Sequence, residues 1–121
     1  MQYIERMIGS DPQKILDIGC HDGFLGKQLL KRGHSVSGVD ISKRALEKAK
    51  NNGLKTYLVD IEQERLPFTA NSFNVVILGD IIEHVFDTDV LLQECYRVLA
   101  PYGKLIISTP NVASLGRSCI S

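Results

Sequence analysis

A doubly wound α/β fold, with a parallel sheet of about five strands, is predicted by three observations. Short apolar runs alternate with helical-period segments along the chain, which is the pattern of strand–helix–strand crossovers. The run at 14–18 enters a turn holding Gly19 and Gly23 and then a helix. Acidic residues stand at or just past the ends of four expected strands: Asp17, Asp40, Asp60 and Asp80. A chain of 121 residues suits a single domain, 1–121, and no more.

The elements follow in order. Tyr3, Ile4, Met7 and Ile8 have helical spacing, so 3–8 reads as a lead-in helix that Asp11-Pro12 breaks. Residues 14–18 form the first strand, and 23–32 a helix stopped by Gly33. A second strand covers 35–39 and ends at Asp40. Ser42 then caps a helix with Ala45, Leu46 and Ala49 as its apolar stripe, stopped at Gly53. The third strand is 55–59, ending at Asp60, and the polar stretch 61–72 with Pro67 is loop. The near-continuous apolar run 73–78 is a strand buried on both faces. A helical turn at 80–84, a helix at 88–99, a turn at 101–103 and a fifth strand at 104–108 complete the pattern.

Hydrophobic content of 44% and charged content of 23% are those of an ordinary globular protein. Fourteen basic and 14 acidic residues give a net charge of zero, so neither nucleic acid nor a membrane is expected as a partner. The basic run from Lys43-Arg44 through Lys48 and Lys50 reads as a solvated helix face. Cys20, Cys95 and Cys119 lack metal-site spacing, and the N-terminus has no signal-like apolar core. A cytoplasmic setting with reduced thiols is expected.

Glycine in the turn after the first strand admits positive φ and lets a ligand come close to the backbone. A carboxylate before such a turn repels phosphate and welcomes an ammonium or sulfonium. That polarity argues for S-adenosylmethionine (SAM) over a dinucleotide. In an open parallel sheet the ligand crevice lies beyond the carboxyl ends of the strands. Asp40 stands about 20 residues after the glycine turn, the separation of a ribose-binding acid. Asp60 could accept from an adenine amine, with Ile41 and Ile61 as apolar faces for the base. The plainer reading is that such acids cap helices.

These residues carry a resemblance. Leu-Asp-Ile-Gly-Cys-x-x-Gly at 16–23, Gly-Val-Asp-Ile-Ser at 38–42 and Leu-Pro-Phe at 66–68 occur in order. Ser-Phe-Asn-Val-Val at 72–76, Glu-His-Val at 83–85, Arg-Val-Leu-x-Pro-x-Gly at 97–103 and Ser-Thr-Pro-Asn at 108–111 follow. The chain resembles a class I SAM-dependent methyltransferase of the small-molecule, ubiquinone-biosynthesis-like branch, with a Rossmann-like fold. The resemblance implies that Asp17, Gly19, Cys20 and Gly23 surround the methionine part of SAM, with Cys20 acting through its backbone. Asp40 would bind the ribose hydroxyls, Ile41 the adenine, Asp60 and Ile61 the adenine edge, and Gly79 the amino-acid end.

The sequence departs from the family in two places. His21 replaces the middle glycine of the usual turn, where its side chain could crowd the methionine carboxylate, contact it, or swing outward. The usual C-terminal antiparallel hairpin has no counterpart after the fifth strand, so the chain looks truncated. The apolar edge of that strand would be covered by the tail, by a second copy in a homodimer, or by a missing segment.

His84 is the candidate catalytic base, because an imidazole pKa near about 6.5 suits proton removal at neutral pH. The plainer reading is a packing histidine. Asp80, Glu83 and His84 share a helix face and could hold a divalent ion. Relatives that bind metal use the longer Glu-x-x-Glu-His, and their further ligand has no counterpart here, so no metal is expected. His34, in a Gly-His turn, is expected to be exposed, and Asn111 resembles a substrate-side position. A nicotinamide dehydrogenase would need Gly-x-Gly-x-x-Gly, which 19–23 lacks. The expected function is SAM-dependent methyl transfer to an O, N or C atom of a small-molecule acceptor. The alternative is a non-catalytic SAM-binding or interaction module on the same scaffold.

Overall fold

The computed structural model describes residues 2–79, 87–107 and 118–119. Its elements are α1 (Gln2–Ile8), β1 (Lys14–Ile18), α2 (Phe24–Lys31), β2 (Ser35–Asp40), α3 (Lys43–Asn51) and β3 (Lys55–Leu58). They continue with β4 (Phe73–Leu78), α4 (Thr88–Val98), β5 (Leu99–Ile107) and β6 (Ser118–Cys119). The sheet order is β3-β2-β1-β4-β5-β6, with the first five strands parallel. The doubly wound reading holds. The chain crosses back at β1, and the following strands add on the other side through β4.

Each face of the sheet has its own core, as apolar strands covered on both sides require. Leu16, Ile18, Val76, Leu78 and Leu105 face α4, where Leu91, Cys95 and Val98 meet them. Ile15, Val36, Val75, Ile77 and Ile106 face the other way, against Ile4 and Ile8 of α1, Leu29 of α2, and Leu46 and Ala49 of α3. Phe68 stacks edge-on between Tyr57 and Phe73, at centroid separations of 4.8 and 4.9 Å, and closes the first core.

Two features differ from the expected strand plan. β5 begins at Leu99, directly after α4, because the Pro101–Gly103 turn is a bulge inside the strand. The ladder jumps from Phe73↔Leu99 to Val75↔Lys104, with Tyr102 at φ +65 in the excursion. β6 pairs antiparallel with β5, Lys104↔Cys119 and Leu105↔Ser118. The free N–H and C=O groups of an apolar edge need partners, and here the returning tail supplies them over two residues. At Lys104–Leu105 the edge is therefore not open to a second copy.

His34, expected to be exposed, is not. It is buried, with 5% exposure, because its ring lies under the start of β1 and its Nδ1 accepts the Gln13 N–H at 3.0 Å. No helix among the described residues is long and apolar enough to cross a membrane.

Candidate functional site

β1 sits between β2 and β4, so the loops leaving β1 and β4 diverge and a cleft opens at their carboxyl ends. Its volume is about 260 Å³, and its lining includes Asp17, Gly19, Cys20, His21 and Gly79. Five of the ten expected cofactor residues thus meet in one cavity. The other five lining residues were not anticipated: the exposed carboxylate Asp22 from the loop, and an apolar group made of Ile4 from α1, Phe24 and Leu25 from α2, and Ile77 from β4. The helical spacing of Ile4 marked it for burial, but its pairing with a cleft on another strand is a nonlocal fact.

The β1–α2 loop is held from beneath by β2. The Gly19 and Cys20 N–H groups both donate to the Val39 carbonyl, at 2.8 and 3.1 Å. The His21 N–H donates to Asp40 Oδ2 at 2.9 Å, and the Ser42 N–H donates to Oδ1 at 2.9 Å. Each Asp40 oxygen therefore holds one backbone donor and keeps a lone pair. His21 adopts φ +53, and its side chain is exposed at the cleft lining. This backbone angle is the means by which a side chain fits where the family has glycine, with the ring swung to the solvent side.

Gly23 lies below the lining. At φ +82, a Cβ there would stand 2.9 Å from the Ala49 Cα, so the glycine lets α2 and α3 pack closely. The Cys20 thiol is buried against Gly38, and burial, with Asp17 and Asp40 nearby, pushes it up to about 12. Burial thus favours the protonated thiol.

Asp17 is the unusual group. It is 4% exposed, and among the described residues nothing donates a hydrogen bond to its carboxyl. Burial, reinforced by the Asp40 carboxylate, pushes it up from 3.8 to about 7. An anion in that position lacks its counter-charge.

Asp60 caps its own turn. Its Oδ1 accepts the Glu62 N–H at 3.1 Å, and the Glu64 carboxylate accepts the Asp60 N–H at 2.9 Å. Ile41 is 65% exposed and Ile61 is half-buried, packed against the first core. Asp40 ends β2, Ile41 follows it, and Asp60 and Ile61 lie just past β3, all four outside the lining of the cleft. The segment after Asp60 is clamped by α4. Arg97 donates to the Leu66 and Phe68 carbonyls at 2.9 and 2.7 Å, and to Glu94 at 2.8 Å. Glu94 also accepts the Leu66 N–H at 2.8 Å, and the Arg97 guanidinium pulls its carboxyl down to about 2. Asp80, Glu83, His84 and Asn111 fall outside the described residues.

The cleft fits a SAM-like cofactor on its own terms. It offers a buried carboxyl with an unmet need for positive charge, beside Gly79, where a Cβ would meet nothing within 4 Å.

The comparisons agree. The family model described as "Methyltransferase domain" matches residues 16–107. The ubiquinone biosynthesis O-methyltransferase of Coxiella burnetii is 34% identical over 115 residues, covering 92% of this chain and 49% of that protein. The chain spans about half the length of the curated relatives it matches. Among solved structures, the PH0226 protein of Pyrococcus horikoshii OT3 superposes with a TM-score of 0.78 at 28% identity, covering 94% of this chain and 57% of that one. An S-adenosylmethionine-dependent methyltransferase from Mesorhizobium loti gives 0.75 at 25% identity, covering 83% and 48%. The chain belongs to the class I SAM-dependent methyltransferases, and its cofactor is S-adenosyl-L-methionine.

Proposed function

We propose that this chain binds SAM at the carboxyl ends of β1, β2 and β4 and serves methyl transfer to a small-molecule acceptor. The observation that carries this reading is Asp17, a buried carboxyl with no donor among the described residues, lining the cleft beside two glycines. Its charge balances the methionine ammonium. Gly19, Cys20 and Gly79 give the methionine part a close backbone approach, and Gly23 keeps the loop seated on α3. The exposed ring of His21, at the cleft lining, is within reach of the methionine carboxylate and leaves it room. Asp40 accepts the ribose hydroxyls on its two remaining lone pairs, while Ile41 and Ile61 flank the adenine and Asp60 meets its amine.

When bound, the cofactor supplies an electrophilic methyl group on a sulfonium. The protein's part is alignment, which accounts for much of the acceleration in such displacements. His84 is our candidate for the base that takes the proton from a hydroxyl acceptor. Oxygen is the favoured acceptor atom, because the relatives named above carry O-methyltransferase in their names. We place this activity in the cytoplasm.

Isothermal titration with SAM and with S-adenosylhomocysteine, beside an Asp40→Ala control, tests the reading. Micromolar binding that disappears in the control is the expected result, followed by methyl transfer to phenolic acceptors that His84→Ala slows. Absence of binding to both ligands would overturn it and leave a scaffold without a cofactor.

A further inference from the structure

The chain's net charge of zero conceals a segregated surface. Residues 27–55 hold eight of the 14 basic residues and only two acids, one of which, Asp40, is buried. Six of the cations lie on one helical layer: Lys27 and Lys31 on α2, and Lys43, Arg44, Lys48 and Lys50 on α3. All six are exposed, and none makes an ion pair among the described residues.

Helix formation accounts for only part of this arrangement: Lys31, Lys48 and Lys50 stand in last turns, where the helix dipole favours cations, and the exposed Glu47 stands i+4 from Lys43. Lys43 and Arg44 occupy the first turn of α3, where the helix dipole favours acids, and that turn has none. Lys27 with Lys31, and Arg44 with Lys48, are like-charged pairs at i, i+4, which weaken their own helices.

The layer is rigid. α2 and α3 touch through Gly23 and Ala49, and the Asn52 amide donates to the Asp22 carbonyl at 2.8 Å. These six cations line neither the cleft nor the cavities at Glu5–Arg32 and Gln13–Lys104. Phe24, 60% exposed, opens α2 on the same stripe as Lys27 and Lys31 and also lines the cleft.

We propose that the α2–α3 face docks on an anionic phospholipid bilayer, with the six cations against the headgroups and Phe24 entering the interface. Clustered cations on a helical surface, with an aromatic side chain at the boundary, are the chemistry such a surface attracts. A single nucleic-acid strand would need a groove with several stacking rings, and this face offers neither. Docked this way, Phe24 brings one edge of the cleft lining to the membrane surface. This proposal departs from the sequence expectation, which took the summed charge to argue against a membrane partner and read the basic run from Lys43 to Lys50 as a solvated helix face.

Co-sedimentation with phosphatidylcholine vesicles carrying increasing phosphatidylglycerol tests the proposal, with no substrate or turnover required. Binding should rise with the anionic fraction and fall with salt. The Lys27→Glu/Lys48→Glu variant should lose at least about tenfold in partitioning, since each cation near such a surface is worth about fivefold. Its SAM affinity should stay unchanged and its melting temperature should not fall, since the reversals turn two like-charged i, i+4 pairs into opposite-charged ones, and Lys27→Gln/Lys48→Gln should fall between it and the parent in partitioning. Equal binding to neutral and anionic vesicles would overturn the proposal, as would reversal variants that bind like the parent. Stronger retention on single-stranded or duplex RNA than on vesicles at matched phosphate would overturn it too.

Discussion

Asp17→Asn should stabilise the folded chain while destroying its cofactor site. The substitution keeps the side-chain shape and removes a charge that is 4% exposed and has no donor among the described residues. Burial and the Asp40 carboxylate raise its carboxyl from 3.8 to about 7. A group whose pKa is raised on folding favours the folded state below its unfolded value, and that advantage is lost as pH rises through the folded value. At about 1.4 kcal/mol per pH unit, the full cost above pH 7 is roughly 4 kcal/mol, an upper figure because buried sites relax. Near about pH 5.5 the folded carboxyl is still protonated, and the cost is only roughly 2 kcal/mol.

The gain from Asp17→Asn over the parent should therefore widen by about 2 kcal/mol between about pH 5.5 and pH 8.5. Urea denaturation of both proteins across that range measures it directly. Titrating groups that do not feel the Asp17 charge are common to the two proteins and cancel in the difference. Parallel stability–pH curves would refute the reasoning, because they would mean that Asp17 is ionised at little cost in the folded chain. A widening gap together with lost SAM binding would show that the site holds a charge the fold alone disfavours.

Four further outcomes follow from the same geometry. SAM affinity should rise with pH up to about 7 and then level, because the bound cation holds Asp17 ionised; titration in buffers of differing ionisation enthalpy would show the released proton. Gly23→Ala should cost about 2–4 kcal/mol in urea denaturation, from the left-handed backbone and the 2.9 Å approach to the Ala49 Cα. Arg97→Ala should cost about 2–4 kcal/mol by removing charged hydrogen bonds to Leu66, Phe68 and Glu94, and should weaken SAM binding by loosening the Asp60 segment. His34 titrates below its ordinary 6.5, through burial and then the Arg32 charge, so its contribution is full above that value and declines as pH falls below it. An NMR titration placing that imidazole above 6.5 would contradict the last.

The strand plan was legible where one signal dominated. The run at 73–78 is apolar because both its faces are covered, and β4 has those bounds. The Pro-Tyr-Gly turn was also legible, but not that Leu99 had already joined the ladder before it, since the pairing with Phe73 depends on a residue 26 positions earlier. His34 was read as exposed because Gly-His suggests a surface turn, yet its burial is decided by Gln13, which sequence distance conceals. In the cleft, the glycine turn and Asp17 could be read from local chemistry. Ile4 and Ile77 could not, because they become neighbours only when α1 and β4 pack beside β1, whereas Phe24 and Leu25 follow the turn directly and were within reach of a local reading. The Arg97 clamp binds backbone carbonyls, which leave no trace in residue type.

The central place of β1 has a consequence for how the chain is made. One of its neighbours, β2, follows within about 20 residues on the ribosome, but the other is β4, and the Lys14 N–H bond to Asn74 spans 60 positions. At roughly 5–20 residues per second, that side of β1 waits for some seconds after synthesis. Until then Ile15, Leu16 and Ile18 offer an open apolar strand to any extended segment nearby, and the half-sheet β1–β2–β3 cannot close the cleft. The same insertion that creates the ligand crevice thus makes the nascent chain depend on whatever shields β1 during those seconds.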